Sequence, residues 1–178
     1  MNSDLKIALN LISENGWDIF SLTDMAIATQ KPLYEAQEKF GNKYGVLQAF
    51  YLHINREVEG EIQSPEDSIH DWLFELFMAR FDALEDFKSV LQELNGHMLQ
   101  DARLAKLIAC NLHEWMGRVS RELPETAGVL AKIRPATLCL IYAAALETWL
   151  QDDTVDASHT MATLDQRLSD FEAMFAGS

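Results

Sequence analysis

The chain has 178 residues, 48% hydrophobic and 24% charged, with a formal net charge of −14, a make-up that belongs to a folded globular protein and excludes a long disordered span. Its length suits one well-buried core, or a small head fused to a larger body. Residues 1–56 carry five Lys or Arg against six Asp or Glu, and residues 57–178 carry nine against 22, so a nearly neutral head precedes an acidic, solvated body with little long-range attraction for nucleic acid.

The first helix is expected over about 2–14, where Leu5, Ala8, Leu9 and Ile12 recur at i, i+3, i+4 and i+7. Asn15-Gly16 ends it, and Trp17 and Phe20 flank the next turn, placed to pin this helix to the two short helices after it. Ser21 is a good N-cap with Asp24 three residues on, the spacing of a capping box. Leu22, Met25 and Ala26 then share one face, Thr29–Lys31 makes a turn, and Pro32 suits the first position of a second helix that runs to Phe40 and stops at Gly41. Two short helices joined this way form a helix-turn-helix, whose second member would enter a major groove.

A longer helix is expected over about 43–62, with Leu47, Phe50, Tyr51 and Ile54 as its stripe and Lys43 at the N-terminus, where backbone N–H groups can also hold a phosphate. Ser64-Pro65 marks a boundary. Three helical stripes come next: Ile69 to Leu84, Phe87 to Met98, and Leu104 to Val119, ending before Leu123-Pro124. Two final helices complete the pattern. From Pro135 to about Leu150, Leu138, Ile141, Tyr142, Ala145 and Trp149 share a face; from Ser158 onward, Met161, Leu164, Leu168, Phe171 and Phe175 alternate spacings of three and four. No strand, repeat or linker stands out.

Little here points to catalysis. His53, His70, His97, His113 and His159 are scattered without metal-ligand spacing, and phosphate-loop, dinucleotide and nucleophile-elbow patterns are missing. No enzyme activity, metal or cofactor is expected. Cys110 and Cys139 fall inside apolar patterns and read as buried thiols. Neither a leader pattern nor an apolar run of about 20 residues is apparent, so a cytoplasmic protein without a membrane span is expected. Trp72, Phe77, Met78, Phe81, Met98, Trp115 and Met116 could line an adaptable apolar pocket, or could equally fill a core.

From Asn15 to Lys43, the order Gly16-Trp17, Ser21-Leu22-x-Asp24-Met25-Ala26 and Phe40-Gly41-Asn42-Lys43 resembles the N-terminal domain of TetR-family transcriptional regulators. The resemblance implies an all-α protein of about nine helices, with a three-helix head over 1–45 and a ligand-binding and dimerisation body over 46–178. It implies a homodimer formed through the last two helices, for which Tyr142, Ala145, Trp149, Leu164, Leu168 and Phe171 are the candidates, although the same stripes could simply complete the monomer core. It further implies double-stranded DNA as partner, with Thr29, Gln30, Lys31, Tyr34, Gln37, Lys39 and Lys43 as contacts and an apolar small molecule as effector. The chain departs from that pattern with Gln30 where a turn Gly is usual, Gln37 where an aromatic is usual, and Glu38-Lys39 before the Phe. Glu35 and Glu38 would repel a phosphate backbone.

Residues 138–168 also resemble the TetR-like lipid-binding proteins of ubiquinone biosynthesis, above all at Tyr142, the Gln151-Asp152-Asp153 turn and the final helix to Arg167. Two readings therefore stand: a ligand-controlled regulator that reads a palindromic operator, and a lipid-binding accessory protein with a vestigial helix-turn-helix.

Overall fold

A computed structural model describes residues 1–62, 64–65, 68–125 and 127–175. Among them are nine α-helices, two 3-10 turns and no strand, the all-α architecture expected. Two compact units form, one from residues 1–56 and 85–111, the other from 57–84 and 112–178.

The first unit begins with α1 (Ser3–Asn15), capped by Asn2, whose side chain accepts from the Asp4 N–H at 2.9 Å. Leu5, Ala8, Leu9 and Ile12 are buried as their period requires. Helix α2 (Leu22–Thr29) opens on the capping box of Ser21 and Asp24 and closes on Gln30, which takes the left-handed conformation at φ 54°. The Gln30 and Lys31 N–H groups return to the carbonyls of Ile27 and Ala26, so the turn is satisfied without a Gly. Helix α3 (Leu33–Phe40) starts one residue later than expected, because Pro32 is extended (ψ 141°) and acts as the N-cap. It ends on Gly41 at φ 71°.

Helix α4 (Lys43–Glu57) is shorter than the 43–62 expected, and a 3-10 turn (Glu59–Glu61) comes after it. Gly45 has a steric role at its start. A Cβ there would lie 1.8 Å from the Phe40 carbonyl oxygen, so no other residue fits without moving backbone. The unit is completed by α6 (Lys88–His97), which packs on α1, and by the first half of α7 (Ala102–Glu122). These contacts draw 85–111 into the same body as the helix-turn-helix, a division different from a cut at residue 45. Local periodicity carries no signal for such long-range packing.

The second unit holds α5 (Ile69–Leu84), the rest of α7, α8 (Gly128–Gln151) and α9 (Ser158–Phe175), with α8 packed along α9 and α5 against both. Helix α8 starts seven residues before Pro135, which lies inside it. Proline there removes an N–H but does not stop the helix. The neighbouring Arg134 is buried and donates Nη1–H to the Pro124 carbonyl at 2.9 Å. By length and composition α8 is apolar enough to cross a bilayer, a property not expected of any segment from the sequence. Within this unit, however, Leu138, Ile141, Tyr142, Ala145 and Trp149 turn that apolar face into the core.

The α8–α9 turn is clamped by Asp152, whose buried carboxylate accepts from the N–H and hydroxyl groups of both Thr154 and Thr160. Hydrogen bonds led by the Thr154 hydroxyl hold this carboxyl far below the usual range. Both thiols are free, but their burial differs from expectation: Cys110 is exposed and Cys139 half-buried. Six residues beyond buried Leu104, Cys110 falls about 120° off the inward face of α7 by helix period.

Candidate functional site

The helix-turn-helix keeps its frame, but its cations are engaged elsewhere. Lys31 Nζ lies 2.8 Å from Asp4 Oδ1 and Lys39 Nζ 2.9 Å from Asp4 Oδ2, so one carboxylate on α1 holds both. The lysine hydrogen bonds depress the Asp4 carboxyl, and the bond to Asp4 raises Lys31 in turn. Lys43 donates to the Trp17 carbonyl at 3.0 Å and lies 4.2 Å over the Trp17 ring. Thr29 returns its hydroxyl to the Met25 carbonyl at 2.8 Å. Of the candidate contacts, Gln30, Tyr34 and Gln37 are exposed on the turn and α3, as are Lys31 and Lys39 despite their pairing, beside exposed Glu35 and Glu38. Tyr34 is 63% exposed.

Trp17 is fixed by three polar partners. Its N–H donates to Glu93 Oε1 at 2.8 Å, its Nε1–H to Asp101 Oδ2 at 3.0 Å, and its carbonyl receives Lys43. Tyr44 donates its hydroxyl to the same Asp101 oxygen at 2.9 Å. Burial works to raise the Asp101 carboxyl, but bonds from the Leu104 N–H, Trp17 and Tyr44 outweigh it and hold the group at about 2. The sequence led to an expectation that Trp17 pins α1 to the helix-turn-helix, whereas its partners here are Glu93 on α6, Asp101, and Lys43 and Tyr44 on α4; Asp4, Glu93 and Asp101, far away in the chain, gave no local signal.

The apolar residues of the second unit form an aromatic cluster. Phe77 meets Tyr142 edge-on at 5.4 Å, Phe81 stacks on Tyr142 at 5.0 Å and on Trp149 at 5.6 Å, and Trp115 meets Tyr142 at 5.8 Å. Met116 is buried in the same unit, Trp72 and Met78 are half-buried there, and Met98 belongs to the first unit. Buried Arg80 places its guanidinium 4.2 Å over the Trp115 ring and 5.6 Å from that of Tyr142. Burial pushes the Tyr142 phenol up, with the Arg80 cation pulling against it. Among the described residues, neither Trp115 Nε1 nor Tyr142 Oη finds a hydrogen-bond acceptor. A buried donor left in that state costs about 1–3 kcal/mol.

The six dimer candidates need correction as surface residues. Tyr142, Ala145, Trp149, Leu164, Leu168 and Phe171 are each at most 4% exposed and fill the unit's own core. A three-and-four spacing marks a buried face without saying what buries it. The face of α8 left open is a different one: Val129 (73% exposed), Ile133, Ala136, Leu140 (73%) and Ala143, again at spacings of four and three. Beside it, a groove of about 640 Å³ runs between α8 and α9, with Glu147 on one wall and His159 and Arg167 on the other.

A family model described as COQ9 matches residues 134–174, most of α8 and α9. No curated protein matches the sequence. Among solved structures, the chain is similar to the TetR transcriptional regulator from Nitrosomonas europaea, with a TM-score of 0.75 and 19% identity over 98% of this chain and 97% of that one. The protein has a TetR-like fold, and residues 134–174 are similar in sequence to the COQ9 family.

Proposed function

We propose that this protein is a TetR-fold binding protein that holds an apolar ligand in its second unit and does not read DNA. The observation that carries this reading is the pairing of Lys31 and Lys39 with Asp4 while Glu35 and Glu38 stay exposed on α3. A reading helix needs free cations for phosphates, and here the free charges have the wrong sign. The COQ9 match over α8 and α9 and the aromatic interior that α8 helps to form support the ligand. No catalytic step is assigned, and a cytoplasmic location accords with this role.

The protein acts as a homodimer in this account, through the open face of α8 with α9 beside it. Val129, Ile133 and Leu140 supply the apolar contact, and Glu147 and Arg167 offer opposite charges that a two-fold axis can pair.

Solvent extraction of the purified protein followed by mass spectrometry tests the ligand. A reproducible apolar compound at a fixed ratio to protein is expected; repeatedly empty protein counts against the reading. The second reading, a DNA-binding regulator, keeps one specific support: the capping box at Ser21 and the Gln30 turn preserve the two-helix geometry that groove entry requires.

A further inference from the structure

We infer that the ligand is an apolar molecule bearing an acceptor oxygen, a carbonyl or a carboxylate, and that Trp115 and Tyr142 are its polar recognition residues. This rests on the apolar-ligand reading above and adds the chemistry of the head group. Two donors, Trp115 Nε1–H and Tyr142 O–H, lie inside a cluster of Phe77, Phe81 and Trp149 with no acceptor among the described residues. The Tyr142 oxygen faces the Arg80 guanidinium, but its O–H and the Trp115 N–H are left without an acceptor, and a buried donor in that state is destabilising until a ligand oxygen satisfies it. The Arg80 guanidinium over Trp115 adds positive potential at the same place, favouring an oxygen over another methylene. The rings stand at centroid distances of 5.0–5.9 Å, so entry requires Phe81 or Phe77 to swing aside. An oxygen that satisfies both donors compensates for that displacement, and a pure hydrocarbon does not.

The test compares decane, 2-decanone and decanoate by isothermal titration of the full-length protein, using wild type, Tyr142→Phe and Trp115→Phe. Wild type is expected to bind at least one oxygen-bearing probe about tenfold more tightly than decane, the effect of one or two buried hydrogen bonds. Tyr142→Phe, which removes a single oxygen, should abolish most of that preference, with folding checked by circular dichroism because the buried Arg80 guanidinium loses that oxygen. Trp115→Phe, checked for folding by circular dichroism, should do the same for affinity. A ketone that outcompetes the carboxylate identifies a neutral carbonyl head, and the reverse order an anionic one. Equal binding of decane and the oxygenated probes, or a preference untouched in both variants, overturns the inference and leaves the apolar-ligand reading in place. Failure of all three probes to bind, together with empty extracts, overturns both.

Discussion

Lys39 reaches Asp4 across 35 residues of chain, its ammonium 2.9 Å from Oδ2, and Lys31 occupies the other oxygen of the same carboxylate. Two of the three lysines that the head could offer a duplex are thereby directed to α1, and the third, Lys43, is held by Trp17. Asp4→Asn should release Lys31 and Lys39. The variant is expected to gain weak, sequence-independent duplex binding whose salt slope steepens by roughly 2, one unit for each freed lysine. Anisotropy at several salt concentrations measures it, and a slope equal to that of wild type would show that the pairing does not control the head's charge.

The same carboxylate sets a pH dependence. Asp4 is lowered when folded, so its contribution is present above the ordinary carboxylate value and lost as pH falls through the folded one. Asp101 behaves alike over a defined window, from about 4 down to about 2. Asp101→Asn should cost about 1–2 kcal/mol at neutral pH, after allowance for solvent screening, and should flatten the acid limb of stability. Urea titrations at pH 7 and pH 3 provide the check; a deficit of the same size at both values would contradict the assignment.

Gly45→Ala is expected to be among the most damaging small substitutions in the head. The added methyl meets the Phe40 carbonyl at 1.8 Å, and backbone must move to admit it, at a cost of about 3 kcal/mol. Denaturant unfolding reads the loss directly, and a change below about 0.5 kcal/mol, the usual surface scale, would show that the α3–α4 corner is loose.

Leu140→Glu probes the open face of α8. Leu140 is 73% exposed in the chain, so the substitution should leave the fold intact and convert the proposed homodimer to monomer in sedimentation analysis. An unchanged dimer would move the interface away from this face.

Much of this was legible in the sequence. Ser21, Asp24, Gly41 and the apolar periods of α1, α7 and α9 placed the helix boundaries to within a few residues, because caps and periodicity are local signals. What stayed hidden was non-local. Nothing near Lys31 or Lys39 announces Asp4, and nothing near Trp17 announces Glu93 or Asp101. Pro135 read as a start because proline usually ends or opens helices, whereas here it sits in the interior of α8. The inward stripe of α8 read as an interface because apolar spacing is the same for a core and a seam, and only burial separates Tyr142 from Leu140.

The most direct test of the central claim is fluorescence anisotropy of duplexes tiled across the region upstream of the protein's own gene, together with a random duplex, at low and then near-physiological salt. With Lys31 and Lys39 held by Asp4 and two glutamates facing outward, no duplex should bind even at low salt, where backbone contacts are strongest. Saturable binding to one tile that survives random competitor at near-physiological salt would contradict the account and restore the DNA-reading regulator.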